Sequence, residues 1–239
     1  MALSVCSLFA VVVVKCECVV VCRARYAQLH QAYSVKYCNN ESVSFSHQSS
    51  IHDLVSAVVR LELLSSICSQ RVKVDVSSVR SGSSSRGAVD TALFIMYNCA
   101  RLATLFQHFT EAVSKGKYRD LPDLSHVDWS LLKLEEEWQL LLNYVVQFDH
   151  VVNDCVHNVI DSHCQPSSSS SLVTTHKVGV FLRQLSSCLS SYYSKTHVLC
   201  EPREHLLGTM HARLYLLKAV EAVMHRALRL LGIEPISHM

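Results

Sequence analysis

At 239 residues the chain is long enough for one or two domains with a sizeable core, and its formal net charge of +2 gives no global field that would draw in a polyanion. Glycine (6) and proline (4) are scarce while 49% of residues are hydrophobic, which excludes a turn-rich β fold in favour of helices. Charge is unevenly placed: residues 1–88 hold 9 basic and 5 acidic side chains, 89–161 hold 5 and 11, and 162–239 hold 8 and 4. A phosphate-facing surface therefore belongs on the outer thirds, although an ordinary solvated surface of mixed charge gives the same pattern.

Residues 1–50 are read as an undefined N-terminal segment. The apolar run Val5–Val14 falls short of the ~20 residues that a bilayer requires. No basic residue precedes Lys15, so the run lacks the positive start of a signal peptide. A buried strand, a marginal leader and sequence belonging to no functional domain all remain open for it, and residues 23–50 show no sustained period. Ile51 to Cys68 is predicted helical from Leu54, Val55, Val58 and Leu61, and the Ser/Gly-rich stretch Ser77–Gly87 is the expected linker. Segment 51–87 thus reads as a helix and linker, followed by the main domain at 88–239.

Ala88 to Ser114 is expected to be a long helix with Leu93, Met96, Tyr97, Ala100, Ala103 and Thr104 on its apolar stripe and a C-cap at Lys115-Gly116. Asp128 is the expected cap of a helix reaching Asp149, with Glu135–Glu137 in its early turns. Its predicted buried stripe is Leu131, Leu134, Trp138, Leu141, Leu142 and Val145. Pro166 and Ser167–Ser171 read as a solvated loop. A helix from Thr174 to Thr196 follows, burying Phe181, Leu185, Cys188 or Leu189, and Tyr192, with Tyr193 nearer the surface. The last helix, Leu206 to Leu231, turns Leu214, Leu217, Met224, Leu228 and Leu231 inward and stops at Gly232 and Pro235. The sum is an all-α, antiparallel helical bundle.

The eleven cysteines form no Cys-x-x-Cys pair, and Cys16-x-Cys-x-x-x-Cys22 does not match common zinc modules, so reduced thiols and no metal are expected. The fourteen histidines include no His-Glu-x-x-His, and neither His157/His163 nor His205/His211 shares a helical turn. No phosphate loop, nucleophile elbow or kinase signature occurs, so no catalytic residue is assigned and no cofactor is expected. Two groups of residues suit single-stranded RNA. Lys218, Arg226 and Arg229 line one face of the last helix, where a row of cations can neutralise successive phosphates; a plain solvated face is the alternative. Tyr97 and Arg101, four residues apart, can stack an unpaired base and hold its phosphate; the alternative is a half-buried ring with a snorkelling arginine. Tyr193 carries the same ambiguity.

Tyr97-Asn-Cys-Ala-Arg101 in the first long helix, Arg213-Leu-Tyr-Leu216 in the last, and Leu231-Gly-Ile233 with terminal Met239 resemble the DALR anticodon-binding domain of class I arginyl-tRNA synthetases. Phe181–Tyr193 followed by Val198-Leu199 looks like that family's third core helix. Val59–Ser65 with Val74-Asp75 is similar to the segment joining a synthetase's catalytic domain to the module, so the resemblance covers about 57–239. The wording Met96–Leu102 is closer to non-synthetase members of the family. Departures are Met96 in place of a polar residue, Asn98-Cys99 in place of Ala-His, and Ser-Ser-Tyr-Tyr closing the third helix.

The resemblance implies binding of arginine tRNAs through the anticodon arm, with Tyr97, Arg101, Tyr193, Arg213, Lys218, Arg226, Arg229 and Met239 as the RNA-facing residues. His-Ile-Gly-His-like and Lys-Met-Ser-Lys-Ser-like motifs are missing, and the roughly fifty residues before Ile51 could not hold a synthetase's nucleotide-binding fold. The expectation is therefore a cytoplasmic, non-catalytic adaptor, neither spanning nor anchored in a membrane. For non-synthetase members the family further implies a partner, a methyltransferase that makes 3-methylcytidine in tRNA. The alternatives are a helical protein-interaction scaffold without RNA contact and a C-terminal fragment of a synthetase.

Overall fold

The computed structural model describes residues 21–30, 44–67, 72, 86–164 and 174–237. Among them there is helix and no strand, as the scarcity of breakers predicts. The helices are α1 (residues 21–30), α2 (Ser44–Leu64), α3 (Arg86–Ser114), α4 (Glu135–Gln139), α5 (Phe148–Cys164), α6 (Thr175–Lys195) and α7 (Glu204–Leu230). The Val5–Val14 run, most of the Ser/Gly linker, the Ser167–Ser171 loop and Met239 lie outside the described residues.

α3 is the central helix, with α2, α6 and α7 packed on it. Being covered on several sides, it buries more than the expected stripe. Met96 and Ala100 are inside, but so are Ile95, Cys99, Leu102 and Leu105, while Leu93, Ala103 and Thr104 are only partly covered and Tyr97, expected on the stripe, is exposed. The helix ends where predicted: Gly116 adopts φ +71, a conformation that L side chains resist, and Lys117 N–H donates to Ala112 O at 2.9 Å. α7 ends the same way at Gly232 (φ +71), where Ile233 N–H reaches Leu228 O at 3.0 Å and its side chain is buried. Leu214, Leu217, Met224, Leu228 and Leu231 all face inward, so α7's apolar stripe is as read. On α6, Phe181, Leu185, Leu189 and Tyr192 do the same.

α2 starts at Ser44, earlier than the expected Ile51, and α1 falls in a stretch without a readable period. Tertiary contacts hold α1: Leu29 is buried in the core, and a charged pair joins it to α2. Arg25 donates from Nε and Nη2 to the two oxygens of Glu62 at 3.1 and 2.7 Å, a two-pronged ion pair with both side chains buried. The partners are 37 residues apart, so no local pattern announces the pair.

The expected helix from Asp128 to Asp149 is corrected. Asp128 caps only a 3-10 turn, Trp129–Leu131, accepting Ser130 N–H at 3.0 Å. The α-helix begins at Glu135, with acids in its first turn, and Glu137 reaches back to accept Leu134 N–H at 3.0 Å. From Leu140 to Val146 the chain is π-helical before α5 resumes. The predicted buried stripe is also overturned: Leu134, Trp138 and Leu142 are exposed, and Leu131, Leu141 and Val145 are only partly covered. The inward places go to Leu140, Phe148 and Glu137. A carboxylate with buried partners took the position that hydrophobicity alone would give to Trp138.

Candidate nucleic-acid interface

Three of the predicted residues meet. The Arg101 Cζ lies 3.9 Å from the centroid of the Tyr193 ring and 5.9 Å from that of Tyr97. Both are within cation–π range, and the first is a close stack of guanidinium on ring. Tyr97 and Arg101 share a face of α3 because they are four residues apart, and Tyr193 arrives from the last turn of α6. The Tyr97 ring is 47% exposed while Tyr193 is half-buried. Burial pushes the Tyr193 hydroxyl up, the Arg101 charge pulls it down, and Tyr97 raises it further. The result is an exposed ring beside an oriented cation, a surface on which a flat aromatic group can stack and an anion can be held.

Lys218, Arg226 and Arg229 are exposed on α7 as predicted. At roughly 100° per residue they fall within an arc of about 80° on the side opposite the buried stripe. Arg229 Nε is 3.5 Å from Glu234 Oε2, both exposed, a solvent-screened contact of little energetic weight. Glu221 interrupts the row's edge. Burial raises its carboxyl, Lys218 lowers it, and its charge in turn raises the Cys99 thiol. His225 is shifted down by burial and by Arg229, against a smaller opposing effect of Glu234.

The tyrosine–arginine cluster is built from α3 and α6, whereas the cation row lies on α7 alone.

Arg213 stands apart from the row, in the middle of the buried arc of α7. Its Nε donates to Glu137 Oε1 at 2.7 Å, its side chain is 20% exposed, and Glu137 is fully buried. Tyr192 Oη donates to the same oxygen at 3.3 Å, and its hydroxyl is pushed up by burial first and by Glu137 second. A single carboxylate thus ties α4 to α6 and α7, reinforced at the surface by Lys195 Nζ on Glu136 at 2.8 Å. Sequence reading did not find this group, because Glu137 looks like one more member of a solvated acid run. Met239 lies outside the described residues. Among the described residues no three His, Cys, Asp or Glu side chains could hold a metal ion, and no helix is long and apolar enough to cross a membrane.

The chain is similar to known proteins in sequence and in fold. Residues 95–239 match the DALR anticodon binding domain family, a segment containing every residue of both groups. The chain is 36% identical over 217 residues to DALR anticodon-binding domain-containing protein 3 of Mus musculus, covering 91% of this chain and 38% of the relative. It is 27% identical over 191 residues to the arginine–tRNA ligase of Saccharolobus solfataricus, covering 79% and 25%. In fold it is similar to the arginyl-tRNA synthetase of Plasmodium falciparum, with a TM-score of 0.59 at 14% identity over 95% of this chain and 34% of the other. The chain spans about two fifths of the length of the mouse relative.

Proposed function

The chain belongs to the DALR anticodon-binding family, and from that premise we propose that it is a non-catalytic tRNA-binding protein that selects arginine tRNAs through the anticodon arm. The observation that carries this reading is the cluster of Tyr97, Arg101 and Tyr193, with a guanidinium stacked 3.9 Å from one ring beside a second, exposed ring. An unpaired anticodon-loop base stacks on Tyr97, and Arg101, already held by Tyr193, directs its N–H donors to the adjoining phosphate. Lys218, Arg226 and Arg229 form a separate surface for the backbone, insensitive to sequence.

The protein works in the cytoplasm as an adaptor that presents these tRNAs to a methyltransferase forming 3-methylcytidine. The resemblance to the non-synthetase relatives supports this part of the reading. Its role needs no activation of arginine, in keeping with a family match that lies in the anticodon-binding domain.

Crosslinking of the purified full chain to total tRNA at near-physiological salt, followed by sequencing, tests the reading. Enrichment of arginine tRNAs that disappears with Tyr97→Ala is the expected result. Equal recovery of every tRNA removes the specificity, and no recovery removes RNA binding altogether. Co-purification with the methyltransferase, and loss of 3-methylcytidine from arginine tRNAs in cells lacking the protein, test the adaptor role.

A further inference from the structure

Trp138, Leu142 and Val146 follow one another at steps of four residues along α4 and the π-helical segment, and all three are exposed, Val146 to 63%. On α4 the buried position goes to Glu137 and in the π-helical segment to Leu140, while these three apolar side chains stay outside. The stripe is bracketed by carboxylates, with the exposed Glu135 three residues before Trp138 and the exposed Asp149 three residues after Val146. In sequence the stripe falls in the acidic third of the chain, residues 89–161, which carries 11 acidic and 5 basic side chains.

We infer that this stripe is a docking surface for a partner protein that presents an amphipathic helix, with an apolar stripe flanked at both ends by lysine or arginine. The chemistry discriminates among occupants. Nucleic acid is disfavoured, since the bracketing carboxylates repel phosphate and, although Trp138 offers a plane for stacking, Leu142 and Val146 offer none. A second copy of this chain is disfavoured by symmetry. A two-fold pairing sets the same stripe against itself, and in the antiparallel arrangement Glu135 of one copy opposes Asp149 of the other. A helix with cations at both ends of its stripe satisfies the apolar side chains and both acids at once.

This inference does not depend on RNA binding, and its test separates the two. The probes are a synthetic helical peptide with leucines at steps of four bracketed by lysines, and a twin in which glutamates replace the lysines. Binding to the full chain is read by fluorescence anisotropy of the labelled peptide, for the native protein, for Leu142→Ser/Val146→Ser and for Trp138→Ala. The serine pair alters only exposed positions, so it keeps the test valid if Trp138→Ala, which loses the Trp138 Nε1–Leu132 O hydrogen bond of 2.9 Å, fails to fold. The expected result is binding of the lysine peptide only, weakened about tenfold or more by the serine pair, with tRNA affinity unchanged. Equal binding of both peptides, binding of neither, tRNA affinity lost with the serine pair, or self-association that the serine pair abolishes would each overturn it.

Discussion

The Arg101 guanidinium sits 3.9 Å from the centre of the Tyr193 ring, joining the middle of α3 to the end of α6 at the surface. Tyr97 completes the group from one turn before Arg101 and is the most open of the three.

Tyr97→Ala separates binding from folding. Tyr97 is 47% exposed and lies outside the buried core, so stability should change by no more than about 0.5 kcal/mol. Loss of a stacking platform should weaken binding of an arginine tRNA anticodon stem-loop by about 1–3 kcal/mol. Arg101→Lys should also weaken binding, because an ammonium lacks the flat face that rests on Tyr193. Titration of a labelled stem-loop beside urea unfolding of each variant checks both statements; equal losses in stability and affinity would mean that the ring only supports the fold.

The α7 row should act through salt. Replacing Lys218, Arg226 and Arg229 with alanine should make the slope of log affinity against log salt less negative by about 2, at roughly 0.7 for each single-strand phosphate contact. Preference among tRNAs should stay as it was. An unchanged slope in titrations at several salt concentrations would show that the row is a solvated face.

Arg213 is expected to behave differently from that row. Arg213→Ala leaves the Glu137 carboxylate buried without its cation and should cost about 3 kcal/mol. Glu137→Gln should be destabilising by a similar mechanism, with Arg213 left unpaired. In a double-mutant cycle read by urea midpoints, the two effects should be strongly non-additive. Additive losses would disprove the coupling.

Stability should also fall in alkali. Burial, and then the Glu221 charge, pushes the Cys99 thiol up from 9.0 to about 12, so the folded chain keeps a proton that the unfolded chain releases. The contribution is complete below about pH 9 and is lost as pH rises towards 12, with a slope of about 1.4 kcal/mol per pH unit for one group. The Tyr192 hydroxyl, raised by burial and Glu137, moves stability in the same direction. Cys99→Ala should flatten the loss of stability between pH 8 and about pH 10.5, measured as the shift of the urea midpoint.

How far the sequence carries depends on whether the deciding contact is local. Gly116 and Gly232 terminate helices by a rule that operates within a few residues, and both were readable. Tyr97 and Arg101 share a face through their four-residue spacing, and that too was readable. The approach of Tyr193 to Arg101 was not, since it depends on how α6 crosses α3. The same limit explains the error at Trp138. Apolar periodicity places Trp138 and Leu142 inside, but the hydrogen bonds from Arg213 and Tyr192 make Glu137 the better buried group. Arg25 and Glu62 follow the same rule, since their ion pair spans 37 residues and has no local signature.

The Glu137 junction also implies an order of events when the chain folds. Tyr192 and Arg213 lie 55 and 76 residues beyond it, and closing loops of that length is slow compared with forming a helix. Until α6 and α7 have met, the carboxylate keeps its water and α4 has nothing to anchor it. The segment should therefore dock after the α3–α6–α7 core has assembled. Changes at Glu137 would then speed unfolding while leaving the refolding rate almost untouched.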